Sequence, residues 1–133
     1  MLFEYDENFK SQGAIIKVLG IGGAGCNAIN RMIESDMQGV EFIAINTDVQ
    51  DLAVSRADIK LQIGKEQTHG LEAGARPEIA RRAVEENLDH VQEIIQDTDM
   101  VFITAGMGGG TGTGSAPIIA EAAREQDCLT LAI

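Results

Sequence analysis

The sequence predicts a doubly wound, Rossmann-like α/β domain, in which helices cover both faces of an open parallel sheet. Short apolar segments rich in β-branched residues recur along the chain, and such segments are typical of buried strands. Segments with apolar residues at helical spacing lie between them. Because strands that alternate with helices are joined by right-handed crossovers, the strands are expected to run parallel in one sheet.

Five segments are predicted as strands. The third, "IKLQI", alternates apolar and polar residues, which is typical of a strand near a sheet edge. The expected strand order is 3-2-1-4-5, which makes the first and fourth strands neighbours. The chain ends inside the fifth segment, which predicts a domain truncated in its fifth strand. The predicted strands are residues 14–20, 40–46, 59–63, 100–106 and 128–133.

Helical spacing of apolar residues predicts helices in three places. The first helix contains residues 28–33. The second covers residues 79–95 as one long or broken helix, and Pro77 opens it because proline is favoured in a first helical turn. The third is expected to begin at Ser115 and Pro117 and to continue through residues 118–123.

Composition restricts the class of protein. The net charge of -11 argues against nucleic acid and anionic membranes as partners, since both require clustered lysine and arginine. No apolar run reaches the ~18 residues that span a bilayer, so no membrane insertion is expected. Cys26 and Cys128 lack metal-ligand spacing, and we expect no protein metal site. A soluble cytoplasmic protein is the resulting interpretation.

The chain of 133 residues divides into two parts. Residues 1–13 are acidic and polar, which predicts a flexible N-terminal arm. Residues 14–133 are predicted to form part of one nucleotide-binding domain. Because an uncovered strand edge invites aggregation, the missing C-terminal half of the domain is expected to be a partner that this part requires.

The first glycine-rich segment, "GIGGAGCNA", follows the first predicted strand. Gly20, Gly22 and Gly25 fit the G-x-G-x-x-G pattern, in which glycine lets the backbone approach a phosphate at a helix N-terminus. Asp48 stands about 20 residues further on, where a dinucleotide site would hold the ribose. The glycines could instead serve only to pack a helix on a strand. Asn27 is expected either to contact ligand or to cap the helix.

A second and richer glycine segment, "GMGGGTGTGSAP", follows the fourth predicted strand. Both segments are expected to open into the crevice at the topological switch point, and two cradles suit a triphosphate better than a pyrophosphate. Neither segment contains lysine, so a P-loop is excluded. Backbone N–H groups, two helix N-termini, the hydroxyls of Thr111 and Thr113 and a divalent cation would meet the phosphate charge.

A third segment, "HGLEAGARPE", joins a strand to the second helix. Ala73, Gly74 and Ala75 are small enough for the backbone to approach a terminal phosphate, and an ordinary connecting loop explains them equally well. His69 and His90 are interpreted as solvated residues. Cys26 is interpreted as a small filler, since no histidine or lysine adjoins it in sequence.

Taken together, these segments resemble the tubulin/FtsZ superfamily. "GGGTGTG" is similar to its signature loop, "GIGGAGCNAINRM" to its first nucleotide loop, "NTD" to its second and "GLEAGARPE" to its third. "DMVFITAGMGGGTGTGSAP" resembles its fourth strand followed by the signature. The resemblance extends over residues 14–133 and is closer to the bacterial FtsZ branch than to eukaryotic tubulin.

The resemblance implies binding of GTP and GDP with Mg²⁺, GTP hydrolysis and head-to-tail polymerisation. It also implies a division ring at midcell, built by self-association together with accessory proteins. Carried onto matching positions, it implies nucleotide contacts in four segments. These contacts are Gly22, Gly23, Ala24, Gly25, Cys26 and Asn27; Asn46 and Asp48; Ala73, Gly74 and Ala75; and Gly106, Gly108, Gly109, Gly110, Thr111, Gly112 and Thr113.

The sequence departs from the family pattern at two places. Glu72 stands where the family often has glycine, and His69 replaces a residue that is commonly basic. The family's guanine-contacting segments and its catalytic acidic loop lie beyond Ile133, and that loop acts on the nucleotide of the next subunit. The resemblance therefore implies that this chain contains no catalytic residue and is inactive alone.

Two other functions remain open at this point. The first is an NAD-binding domain of an oxidoreductase, for which Gly20, Gly22, Gly25 and Asp48 provide the pattern. The second is a non-catalytic regulator that binds nucleotide or other subunits without turnover.

Overall fold

A computed structural model describes residues 14–71, 76–106 and 110–132. These residues form a five-stranded, all-parallel sheet in the order β3-β2-β1-β4-β5. The predicted doubly wound class and strand order are therefore confirmed, while the predicted arm lies outside the described residues. The strands are β1 (Ile16–Ile21), β2 (Glu41–Asn46), β3 (Ile59–Gln62), β4 (Met100–Ala105) and β5 (Leu129–Ala132).

Helices connect the strands and cover the sheet on both faces. Within the described ranges, no helix combines the length and apolar character that crossing a bilayer requires. The helices are α1 (Gly22–Glu34), α2 (Val49–Ala53), α3 (Lys65–Thr68), α4 (Pro77–Glu86), α5 (Leu88–Ile95) and α6 (Gly110–Glu125).

Two apolar clusters lie on opposite faces of the sheet. Successive side chains of a strand point to opposite faces, so Val18 and Leu19 of β1 belong to different clusters. Val18 packs with Ile29 of α1 and Phe42 of β2. On the other face, Leu19 packs in a cluster with residues of α4, α5 and α6, including Val84, Val91, Ile95, Ile119 and Ala123.

The predicted helix over residues 79–95 is broken into α4 and α5 at Asn87. This residue has φ -116° and ψ 20°, outside the helical region. Its Oδ1 accepts a hydrogen bond from the Gly64 N–H at 2.9 Å. A short polar side chain that bonds a backbone group elsewhere favours interruption of a helix, which explains why an unbroken apolar periodicity does not give one continuous helix.

The predicted start of the last helix at Ser115 and Pro117 is wrong. Helix α6 begins at Gly110, and Pro117 lies inside it. Glycine is less favourable in a helix than alanine by ~1 kcal/mol, so the glycine-rich sequence predicted a loop. Tertiary packing decides otherwise, since a Cβ on Gly114 would lie 2.3 Å from the Pro77 carbonyl oxygen and 2.7 Å from Ala80 Cβ. Glycine allows α6 to cross α4 this closely.

Replacement of Gly64 by alanine tests close packing against α4. Gly64 has φ +64°, and a Cβ there would lie 2.2 Å from Ala83 Cβ; Gly39 has φ +79° and nothing within 4 Å of a Cβ. Gly64→Ala and Gly39→Ala should each lose ~1–2 kcal/mol of stability because of the left-handed backbone. Overpacking should cost a further ~1–3 kcal/mol in Gly64→Ala alone. Denaturant unfolding of the two variants measures the difference, and equal losses would contradict the packing.

Stability is expected to fall at alkaline pH because of Cys128. Burial raises the pKa of its thiol, the Lys17 ammonium partly opposes this, and the Asp99 and Asp127 carboxylates add to it. The Sγ donates to the Thr98 carbonyl at 3.1 Å. The unfolded thiol, with a pKa of ~8.5, ionises first as the pH rises, so stability is full below that pH and declines above it until the folded pKa is reached.

The Cys128→Ala variant, compared with the unaltered protein by denaturant unfolding between about pH 7 and pH 10, measures this decline. Because only the unaltered protein contains the Cys128 thiol, its unfolding free energy should decrease relative to that of Cys128→Ala as the pH rises across this range. A difference that stays constant with pH would exclude the thiol as a source of the alkaline loss.

Candidate functional site

The candidate site lies at the carboxyl ends of β1 and β4, at the switch point of the sheet. The two strands are neighbours, and Ile21 pairs with Ala105 at their ends. Helix α1 begins directly after β1, while α6 begins at Gly110, shortly after β4. Crevices at such switch points are where open α/β sheets bind ligands. The topology therefore brings two helix N-termini to the expected ligand position.

Glycine lets the first turns of α1 and α6 come into backbone contact. Gly22 has φ +76°, and a Cβ there would lie 2.9 Å from the Gly112 nitrogen and 3.5 Å from Thr111 Cβ. On Gly112, a Cβ would lie 3.1 Å from the Ile21 carbonyl oxygen, and on Gly106 it would lie 2.4 Å from Ala24 Cβ. The described parts of the two glycine-rich segments therefore lie against each other, and a Cβ on Gly22, Gly106 or Gly112 would crowd the facing atoms.

Gly20 and Gly25 serve a different purpose. A Cβ on Gly20 would lie 2.5 Å from the Gly25 carbonyl oxygen, and one on Gly25 would lie 2.5 Å from the Thr104 carbonyl oxygen. These two glycines allow α1 to pack on β1 and β4. The structure therefore supports the alternative in which glycines of the first segment serve to pack a helix on a strand, for Gly20 and Gly25. A ligand contact by Gly25 would involve its backbone.

The electrostatics of the site come from the backbone. Neither α1 nor α6 has an acidic residue in its first turn, and neither glycine segment contains lysine or arginine. The first four N–H groups of a helix have no intrahelical acceptor, and each helix N-terminus carries roughly half a positive charge. Two such termini in contact can bind an oxyanion without a cationic side chain.

Residues of both glycine-rich segments line a small recess. Its volume is about 20 Å³, room for about one water molecule, so a phosphate would lie at its mouth rather than inside it. Six of the predicted contact residues line the recess, together with Ile21. The lining residues are Ile21, Gly22, Gly23, Ala24, Gly106, Thr111 and Gly112.

The Thr111 hydroxyl already has a protein partner. Thr111 and Thr47 are 1% and 0% exposed, and their hydroxyl oxygens lie 3.1 Å apart. The hydroxyl that was expected to meet phosphate is therefore turned inward in this structure, and the assignment of Thr111 as a contact rests on its backbone. The side chain of Thr113 lies outside the described part of the structure.

Asn46 and Asp48 are both engaged in holding the end of β2. The Asn46 Oδ1 accepts from the Thr47 N–H at 2.8 Å, and its Nδ2 donates to Asp51 at 3.2 Å. Asp48 caps α2, because its Oδ1 accepts from the Gln50 N–H at 2.8 Å. A ribose contact would have to share the Asp48 carboxylate with this cap.

Other predicted residues are placed away from the recess or are not described. Cys26 is buried in the cluster with Val18 and Ile29, which supports its interpretation as a small filler. Asn27 is exposed and lies in the second turn of α1, so its interpretation as a helix cap is wrong; Ile21 holds that position. His69 and His90 are exposed, as expected. Outside the described residues lie Glu72, Ala73, Gly74, Ala75, Gly108 and Gly109.

Thr47 lies within "NTD", the segment that resembles the second nucleotide loop, but it was not among the predicted contact residues. It stands between two predicted contacts in "NTD", directly after β2, and β2 neighbours β1 in the sheet. A hydroxyl residue at the carboxyl end of a strand beside the switch point is the signal that could have found it. Its pairing with Thr111 connects this end of β2 to α6.

This chain is similar to proteins of one known family. The sequence model described as Tubulin/FtsZ family, GTPase domain, matches residues 15–133. FtsZ from M. jannaschii, in a form described as an empty dimer, aligns over 98% of this chain with a TM-score of 0.90 and 47% identity. A point mutant of FtsZ from M. jannaschii gives 98% coverage, a TM-score of 0.89 and 46% identity.

A more distant similarity supports the fold alone. CetZ2 from Haloferax volcanii, described as a GTPgS-bound protofilament, aligns over 90% of this chain with a TM-score of 0.75 and 23% identity. The present chain spans 38% of the FtsZ dimer's chain, 40% of the FtsZ mutant and 39% of CetZ2.

The Thr47–Thr111 contact predicts a non-additive effect on stability. Thr47→Val or Thr111→Val alone leaves one buried hydroxyl without its partner and should cost ~1–3 kcal/mol. In the double variant no orphaned hydroxyl remains, so its loss should be smaller than the sum of the single losses by at least ~0.5 kcal/mol. Denaturant unfolding of the four proteins measures the cycle; strictly additive losses would contradict a hydroxyl bond.

Proposed function

The chain belongs to the tubulin/FtsZ family, and on this premise we propose that it forms the phosphate-binding half of a GTP-binding, GTP-hydrolysing protein that polymerises head-to-tail. The observation that supports this function most strongly is the backbone contact between the first turns of α1 and α6, where a Cβ on Gly22 would lie 2.9 Å from the Gly112 nitrogen. The family model matches residues 15–133, which include both turns.

Backbone N–H groups hold the phosphates in this proposal. The first turn of α1 contributes Gly22, Gly23 and Ala24, and that of α6 contributes Thr111 and Gly112. The positive ends of both helices offset the charge of a polyphosphate, which a chain of net charge -11 would otherwise repel. Mg²⁺ keeps several waters and is bound mainly through substrate phosphates in such sites. GTP, GDP and Mg²⁺ are therefore the proposed ligands.

Self-association belongs to the same proposal. An FtsZ of 47% identity is described as a dimer, and this supports assembly of the whole protein from like subunits. We expect hydrolysis in the assembled protein, with the acidic catalytic group supplied across the subunit contact. A role in a division ring at midcell, in the cytoplasm and with accessory proteins, completes the proposal.

The dinucleotide alternative is not favoured by these findings. A single glycine turn serves the pyrophosphate in ordinary dinucleotide folds, whereas two glycine-rich turns meet here. The carboxylate of Asp48, which would bind the ribose in that alternative, caps α2. The family match to a GTPase domain points the same way.

Gly22→Ala in the full-length protein should weaken GTP binding by ~10-fold or more and remove GTP-dependent assembly, since a Cβ would push the two first turns apart. Gly39→Ala is the matched control because its φ is also positive, at +79°, while its Cβ meets no atom within 4 Å. Equilibrium binding of GTP, light scattering with Mg²⁺ and phosphate release are the measurements.

Three outcomes would count against the proposed function. The unaltered full-length protein could fail to bind GTP, or it could bind NADH tightly without competition from GTP. Gly22→Ala and Gly39→Ala could also lose GTP affinity to the same extent. The last result would place the phosphate contact away from the α1–α6 junction.

A further inference from the structure

Directly after β2, the buried hydroxyl of Thr47 contacts the hydroxyl of Thr111 at the start of α6. We propose that Thr47 is a positioning residue: its hydroxyl holds the first turn of α6 in place against α1 and thereby sets the affinity for a polyphosphate that it does not touch. This inference rests on the proposed function, since it assigns a determinant of affinity to the same site.

Thr47 is held firmly by its own neighbours. It is 0% exposed, so it cannot reach a ligand on the surface. Its N–H donates to Asn46 Oδ1 at 2.8 Å, and the Asn46 amide is held in turn by Asp51 at 3.2 Å. The Ile63 N–H donates to the Asn46 carbonyl at 3.0 Å, which attaches this turn to the end of β3. The Thr47 hydroxyl is therefore presented from a fixed backbone.

The other side of the contact leads directly to the two glycine-rich segments. The Thr47 hydroxyl lies 3.1 Å from that of Thr111, the second residue of α6. A Cβ on Gly22 would meet Thr111 Cβ at 3.5 Å and the next residue's nitrogen, that of Gly112, at 2.9 Å. A shift of Thr111 would therefore move the backbone that is proposed to bind phosphate.

A direct role for Thr111 makes the opposite prediction. If its hydroxyl turned outward to bind phosphate, Thr47 would compete with the ligand for it. Thr47→Val would then leave affinity unchanged or increase it, whereas Thr111→Val would decrease it. If Thr47 positions α6, both variants lose the same bond and weaken binding together.

The test compares GTP affinity, with Mg²⁺, among full-length variants. Thr47→Val should weaken binding by about 5- to 10-fold, which corresponds to the loss of one hydrogen bond, and Thr47→Ser should restore it because the hydroxyl is kept. Thr68→Val is the matched control, since Thr68 is also buried and donates to the Gly64 carbonyl at 3.2 Å, a bond local to α3 that does not involve the Thr111 hydroxyl. It should bind GTP as the unaltered protein does.

A second measurement needs no nucleotide. In a helix the N–H of residue i bonds the carbonyl of residue i−4, so the amides of Gly114, Ser115 and Ala116 report on the first turn of α6. Their hydrogen exchange should accelerate in Thr47→Val and stay unchanged in Thr68→Val when each is compared with the unaltered protein. A general loss of stability would accelerate exchange in both variants.

The inference is overturned if Thr47→Val leaves these amides as protected as Thr68→Val does, or if it retains full GTP affinity while Thr111→Val loses it. Failure of the unaltered protein to bind GTP would refute the proposed function instead. In that case the exchange rates still decide whether Thr47 positions α6.

Discussion

The close approach of two helix N-termini is the constraint on which the site depends. Helices α1 and α6 start from neighbouring strands, and at the point of contact a Cβ on Gly22 would lie 2.9 Å from the Gly112 nitrogen. Any larger side chain would separate the helices and move the N–H groups of their first turns apart. The glycines are thus required by the packing of backbone on backbone, and the proposed anion-binding surface is a consequence of that packing.

The acidic character of the chain is compatible with phosphate binding at this arrangement. A net charge of -11 leaves no general electrostatic attraction for a polyphosphate. Helix termini and backbone amides act within the first turn and over short distances, so they can favour an anion locally on an acidic protein. The attraction is also fixed in direction, which a flexible lysine side chain does not provide.

Much of the fold could be predicted from the sequence because it rests on periodicity and on topology rules. Apolar strands alternating with helices are sufficient to give the parallel sheet and its order, which the structure confirms. The start of α6 could not be predicted, since Gly110–Gly114 has low helix propensity and becomes helical through contacts with α4. Local sequence contains no information about Pro77 and Ala80, which Gly114 contacts although they lie more than 30 residues earlier.

The site was predictable in its location and less so in its details. The two glycine segments were correctly expected to converge, because neighbouring strands at a switch point bring them together. The orientation of the Thr111 hydroxyl depends on Thr47, which lies 64 residues earlier and is brought close only by the sheet. Asp48 illustrates the same limit, since a carboxylate placed for a ribose is used as a helix cap.

Amide chemical shifts of the full-length protein, recorded as GDP and Mg²⁺ are added, test the central claim most directly. If both helix N-termini contact the same phosphate chain, the amides of Gly22, Gly23 and Gly112 will shift together and saturate at one ligand concentration. Shifts confined to one of the two first turns, or absent from both, would contradict the claim.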